Sequence, residues 1–169
     1  DLVKGGVDNI MTYSNAQFVV LGSGDWEYEQ FFKEMQAKYP GRFVLCQGFV
    51  PELARKIYGG SDIFLMPSKS EPCGLSQMVA LRYGSIPVVR ETGGLKDSIT
   101  DSGDGKGNGF TFQTYDTQDM LNSVHRAIYA YNESKDGWKV LVERAMACDN
   151  SWGRSANDYI RLYKQLINS

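Results

Sequence analysis

From residue 17 onward, short apolar runs alternate with amphipathic stretches. That alternation builds a parallel sheet covered by helices on both faces, an α/β architecture. Gln17 to Leu21 reads as a first strand and Asp25 to Tyr39 as a helix. Arg42 to Cys46 repeats the strand signal, and Glu52 to Tyr58 gives a short helix. Ile63 to Met66 is apolar at every position, which predicts a strand at the centre of the sheet, and Pro67 ends it. A helix from Leu75 to Tyr83, a fourth strand Ile86 to Val89 and a short fifth strand Gly109 to Phe112 follow, with Thr92-Gly93-Gly94 turning the chain after the fourth. The remainder is helical. Met120, Leu121, Val124, Ile128 and Tyr131 keep one apolar face. Trp152, Ala156, Tyr159, Ile160, Tyr163, Leu166 and Ile167 keep another in a C-terminal helix at about 151–168, with Ser151 placed to cap it. The expectation is one doubly wound domain over 1–169.

Length and composition agree with that reading. A chain of 169 residues buries roughly 70% of its unfolded surface on folding. Hydrophobic residues make up 42% and charged residues 22%, ordinary globular usage that sets aside disordered and fibrous classes. A formal charge of -2 provides no field to hold a polyanion, so no nucleic acid partner is expected. Cys46, Cys73 and Cys148 are odd in number and lack C-x-x-C spacing, which argues against a disulfide framework or a zinc site and fits a reducing, cytoplasmic compartment. No stretch approaches the ~20 apolar residues of a membrane helix, and no membrane association is expected. Asp1-Leu2-Val3-Lys4 runs directly into helical sequence without a methionine, as an excised piece of a longer protein would. The segment Ser102 to Gly109, glycine at alternate positions and no apolar side chain, reads as a mobile surface loop. It is a poor phosphate loop, because Gly107 follows Lys106 where Ser or Thr would be needed.

Open α/β sheets bind ligands at the carboxyl ends of their strands. After the first strand stands Leu21-Gly22-Ser23-Gly24-Asp25, whose glycines Gly22 and Gly24 allow close backbone approach. Glu27 occupies the place of the third fingerprint glycine, so an ordinary turn and helix cap explains this segment equally. The third strand leads into Glu71-Pro72-Cys73-Gly74-Leu75-Ser76-Gln77, a carboxylate, a thiol and a glycine around a proline just before a helix. A helix start attracts phosphate through aligned N–H donors and the positive dipole end, and Ser76 adds a hydroxyl. Glu71 would then reach the group attached to that phosphate and accept hydrogen bonds from sugar hydroxyls. The alternative makes Glu71 and Ser76 capping groups and Cys73 a small buried hydrophobe. His125, the only histidine, sits on an amphipathic helix and reads as structural.

The segment Glu71 to Gln77, with Leu81 to Arg90 and Thr92-Gly93-Gly94-Leu95, resembles the C-terminal signature of ADP-glucose-dependent bacterial glycogen synthases and plant starch synthases. The likeness extends upstream through Gly59-Gly60-Ser61-Asp62 and downstream through Gly109-Phe110-Thr111-Phe112 to Asp149-Asn150-Ser151-Trp152. It implies the Rossmann-like C-terminal half of a two-domain GT-B enzyme, a retaining transferase that extends an α-1,4-glucan by one glucose. It further implies ADP-glucose and the glucan as substrates, the N-terminal domain of the same enzyme as partner, and neither cofactor nor metal. By that resemblance Glu71 contacts hydroxyls of the donor glucose, amides around Cys73 and Gly74 face the sugar, and Leu75 and Ser76 lie at the diphosphate. Phe49, following Gly48, matches an aromatic residue near the adenine, unless it is a core phenylalanine. Thr92, Gly93 and Gly94 approach the sugar and phosphate.

Two departures matter. Val79 stands where related transferases carry a second, ribose-binding glutamate. The basic pair that neutralises the leaving diphosphate belongs to a segment before Asp1, so Lys4 is a surface residue of the first helix and this piece is expected to be inactive alone. Competing expectations are a GT-B transferase using a UDP- or GDP-sugar, and a non-catalytic nucleotide- or glucan-binding module.

Overall fold

The computed structural model describes residues 1–168. The chain opens with α1 (Leu2–Tyr13), then β1 (Phe18–Gly22), α2 (Trp26–Lys38), β2 (Phe43–Gln47), α3 (Pro51–Gly60), β3 (Ile63–Met66) and α4 (Ser76–Tyr83). It continues with β4 (Ile86–Arg90), α5 (Gly93–Ser98), a 3-10 turn at Ser102–Asp104, β5 (Phe110–Phe112), α6 (Thr117–Glu133), α7 (Lys135–Met146) and α8 (Trp152–Ile167). All strand pairs are parallel, in two hydrogen-bonded groups, β1-β2 and β3-β4-β5. Phe18 faces Phe43 and Gly22 faces Gln47 in the first; Ile63 faces Ile86, and Val88 faces Phe110, in the second.

β4, not β3, is the central strand of the larger group. Ile86 to Val89 are fully enclosed, whereas all four residues of β3 are only partly buried. An all-apolar run marks burial on two faces but does not rank strands within a sheet. Pro87 lacks an N–H, yet Ile86 donates toward Asp62 on the β3 side, so the missing donor faces β5, whose pairing begins only at Val88.

The main core gathers on β4: Leu81 of α4, Leu95 of α5, Met120, Leu121, Val124 and Ala127 of α6, and Trp138 and Leu141 of α7. A second cluster holds Val7, Met11, Met35 and Phe43, with Phe18 stacked on Phe43 at 5.5 Å between ring centroids. α1 serves both, since Leu2 and Ile10 belong to the first cluster and Val7 and Met11 to the second. His125 Nε2 lies 2.8 Å from Asn9 Oδ1, joining α6 to α1. Lys4 pairs with Glu27 on the surface.

The Ser102 to Gly109 segment is fastened rather than loose. The Asp101 carboxylate accepts from the N–H groups of Gly103 and Thr111, each at 2.8 Å, and pairs with Arg126 at 2.5 Å. Asn108 donates to Ser98 O at 3.0 Å. Glycine is needed at 107 because a Cβ there would overlap the Asp101 and Thr100 carbonyls. Its polar composition reflects satisfaction by side-chain hydrogen bonds, not mobility. At the other extreme α8 buries no residue: Trp152, Tyr159, Tyr163, Leu166 and Ile167 of its apolar stripe are all exposed. Among the described residues, no helix is long and apolar enough to cross a membrane.

Candidate functional site

Two loops meet where β3 and β4 end. The chain leaves Met66 through Pro67 to Leu75 and enters α4; it leaves Arg90 through Glu91 and Thr92 and enters α5. Gly94 donates its N–H to Glu71 O at 3.1 Å. The backbones are so close that a Cβ on Gly93 would overlap Glu71 O, and one on Gly94 would overlap Cys73 O. Gly93 also adopts φ 45, in the left-handed region open to glycine. Glu71, Cys73, Gly74, Thr92, Gly93 and Gly94, singled out from sequence, therefore form one continuous surface, with Leu75 and Ser76 at its helical end.

That surface is open. Cys73 and Leu75 are exposed and Glu71 is half-buried. Leu75 sits at the N-cap of α4 and no side chain caps the helix. Among the described residues, neither the Glu71 carboxylate nor the Ser76 hydroxyl has a partner. The capping alternative and the buried-thiol alternative both fail on these observations. The helix start presents unpaired N–H groups next to a free carboxylate, a combination that folding alone does not require.

Side chains not assigned a role from sequence hold this surface in place. Gln77 is fully buried and its amide nitrogen lies 2.8 Å from Gly74 O, 3.0 Å from Ser98 Oγ and 3.4 Å from Cys73 O. Ser98 in turn donates to Gly94 O at 2.6 Å, so one chain of bonds ties both loops together. Arg90 Nε donates to Ser68 O at 2.9 Å and its Nη2 to Lys69 O at 2.5 Å, pinning the stem of the first loop to the end of β4. Its Nη1 reaches Gln113 O at 3.3 Å. Beyond β5, Asp119 accepts from the Thr114 hydroxyl at 2.6 Å and from the amides of Thr114 and Gln113. These bonds, the Thr114 hydroxyl first, hold its carboxyl below the ordinary carboxylate value. The signal for Gln77 lay in helical spacing, since it shares a face with Ala80 and Leu81, both buried.

Gly22, Gly24 and Phe49 form a separate group at the ends of β1 and β2. Gly48 donates to Gly22 O at 3.0 Å, and Gly24 to Glu29 at 3.2 Å. No atom lies within 4 Å of a Cβ built on Gly22 or Gly24, so packing does not demand glycine at either place. Phe49 is 92% exposed, which rules out a core role. No hydrogen bond joins this group to Glu71 among the described residues. An open groove of about 1030 Å³ lies elsewhere, at the amino end of β5 among Phe110, His125, Arg126, Tyr129 and Trp138.

Residues 7–137 match the sequence profile described as Glycosyl transferases group 1. The chain belongs to that family. This group 1 glycosyl transferase chain is 52% identical over 159 residues to a glycogen synthase of Geobacillus thermodenitrificans, a match covering 93% of the chain and 33% of that relative. It is 48% identical over 169 residues to a glycogen synthase of Pseudothermotoga lettingae, covering 99% of the chain and 35% of the relative. Among solved structures, the catalytic domain of starch synthase IV from Arabidopsis thaliana bound to ADP and acarbose superposes with a TM-score of 0.84 at 36% identity, covering 99% of the chain and 36% of that protein. The chain thus spans about a third of the length of the curated relatives it matches. The α/β architecture with parallel strands is that of GT-B glycosyltransferases.

Proposed function

We propose that this chain is the donor-binding part of a retaining glucosyltransferase, cytoplasmic, that moves glucose from ADP-glucose to the non-reducing end of an α-1,4-glucan. The remaining part of the polypeptide, an N-terminal domain facing it across a cleft, completes the enzyme. The observation that carries the reading is the uncapped start of α4 beside the unpartnered Glu71 carboxylate. The glycogen synthase relatives and the ADP and acarbose held by the starch synthase catalytic domain support it.

In this reading the unpaired amides at Leu75 and Ser76, with the Ser76 hydroxyl, receive the diphosphate. Glu71 accepts hydrogen bonds from glucose hydroxyls, and the backbone at Cys73, Gly74 and Thr92 to Gly94 lies along the sugar. The exposed ring of Phe49 offers its face to adenine, with Gly22 and Gly24 nearby along the nucleotide. As the bond from anomeric carbon to phosphate breaks, negative charge grows on the diphosphate. Fixed N–H dipoles already aimed at it lower the barrier without reorganising. Three unpaired thiols are consistent with a reducing compartment.

The test is direct. The complete polypeptide incubated with ADP-glucose and glycogen should lengthen α-1,4 chains; absence of transfer from any nucleotide glucose rejects the proposal. Preference for UDP over ADP in a calorimetric titration would reassign the donor.

A further inference from the structure

We infer that Gln77 is a positioning residue of the site: its buried amide turns two successive peptide units so that the N–H groups of Gly74 and Leu75 both point at the donor's sugar diphosphate. The inference rests on the function proposed above and names what aims the amides on which that function depends.

The geometry follows from the planar trans peptide, in which C=O and N–H point in opposite directions. Among the described residues no peptide bond is cis. Gln77 Nε2 draws Gly74 O inward at 2.8 Å and Cys73 O at 3.4 Å. The N–H of Leu75 shares the first of these peptide planes and the N–H of Gly74 the second, so both are turned away from the Gln77 amide; Leu75 is exposed and Gly74 itself is buried. Neither N–H has an acceptor among the described residues. Two consecutive amides presented in this way form a concavity suited to an anion.

Three features argue that this is more than filling space. First, the amide orientation is fixed: Ser98 Oγ spends its proton on Gly94 O, so all three neighbours of Nε2 are acceptors, and the flipped amide would set oxygen against oxygen. Second, that orientation leaves Gln77 Oε1 buried with no partner among the described residues, a cost that Leu or Met at the same place would avoid. Third, Gly74 holds φ 70, and a Cβ on it would come within 2.6 Å of Gln77 Oε1, so the packed glutamine leaves room only for glycine there. A buried polar group kept at a cost, whose amide contacts the loop that carries the site and Ser98, which itself holds Gly94 of the second loop, is explained by what it does to those two loops.

The experiment compares the unsubstituted complete polypeptide with Gln77→Met, which keeps length without the donor, and Gln77→Glu, which sets a carboxylate against the two carbonyls. Both should lower kcat by about 10²-fold and weaken ADP inhibition by about tenfold, with KM for glycogen unchanged. A role in stability alone would lower the thermal midpoint and leave kcat per folded molecule and ADP affinity as they were; that result overturns the inference. If either variant does not fold, amide resonances of the unsubstituted 15N-labelled chain decide. On adding ADP, those of Gly74 and Leu75 should move most, and their remaining still while Phe49 moves contradicts the inference. Failure of the unsubstituted protein to bind ADP or transfer glucose is a different result: it removes the proposed function, and this inference with it.

Discussion

At the scale of single residues, the account depends on a few atoms around the turn into α4. Glu71→Ala in the complete polypeptide should lower kcat/KM by about 10²-fold or more, because a carboxylate that fixes the sugar sets the attack geometry. Steady-state kinetics with ADP-glucose check this, and unchanged turnover would remove Glu71 from the site. Gly94→Ala should abolish donor binding while leaving the chain folded, since its Cβ would drive the α5 turn off Cys73 O; titration with ADP alongside circular dichroism separates the two effects. Much of the candidate site was legible at this scale. Glu71, Gly74 and Ser76 announce themselves as a carboxylate, a glycine and a hydroxyl before a helix. Gln77 and Arg90 do not, because their role is to hold carbonyl oxygens, and every residue in a sequence has one. Only the folded loop shows that Gly74 O and Ser68 O are the ones held.

At the scale of elements, the strand and helix pattern was readable wherever apolar period decided it. β1, β2 and α4 fall within a residue or so of expectation, and α8 spans the predicted stretch. What failed were judgements of environment. β3 proved to be an edge of its group, and the glycine-alternating segment proved to be tethered by Asp101. Burial pushes the Asp101 carboxyl up, but the Arg126 guanidinium and the amides of Thr111 and Gly103 outweigh it and hold the group below its ordinary 3.8. A depressed folded value means that this contribution is complete above pH ~4 and fades as pH falls through the lower folded value. Asp101→Asn should therefore cost about 1 kcal/mol at pH 7, kept small by the solvent exposure of Arg126, and less at pH 3, below the ordinary value of 3.8. Urea unfolding at the two pH values measures it, and an equal loss at both would contradict the assignment.

At the scale of the whole molecule, two parallel strand groups share a core through α1, and one helix stays outside it. Because α8 buries nothing, removing residues 151–169 should leave the unfolding midpoint of this chain within about 2 °C, whereas loss of a packed helix from a domain this size shifts it by several degrees per kcal/mol. Differential scanning calorimetry decides between these. The amphipathic stripe of α8 was plain in the sequence, but amphipathicity records that a face has a partner, not where the partner is. The same holds for function: the profile identifies a group 1 glycosyl transferase, while the chain spans only about a third of a relative's length. The most direct test is a crystal structure of the chain with ADP-glucose bound. The account predicts diphosphate oxygens about 3 Å from the amides at the start of α4 and the glucose hydroxyls on Glu71. A nucleotide seated instead in the groove beside Trp138, or Glu71 without contact to the sugar, would contradict it.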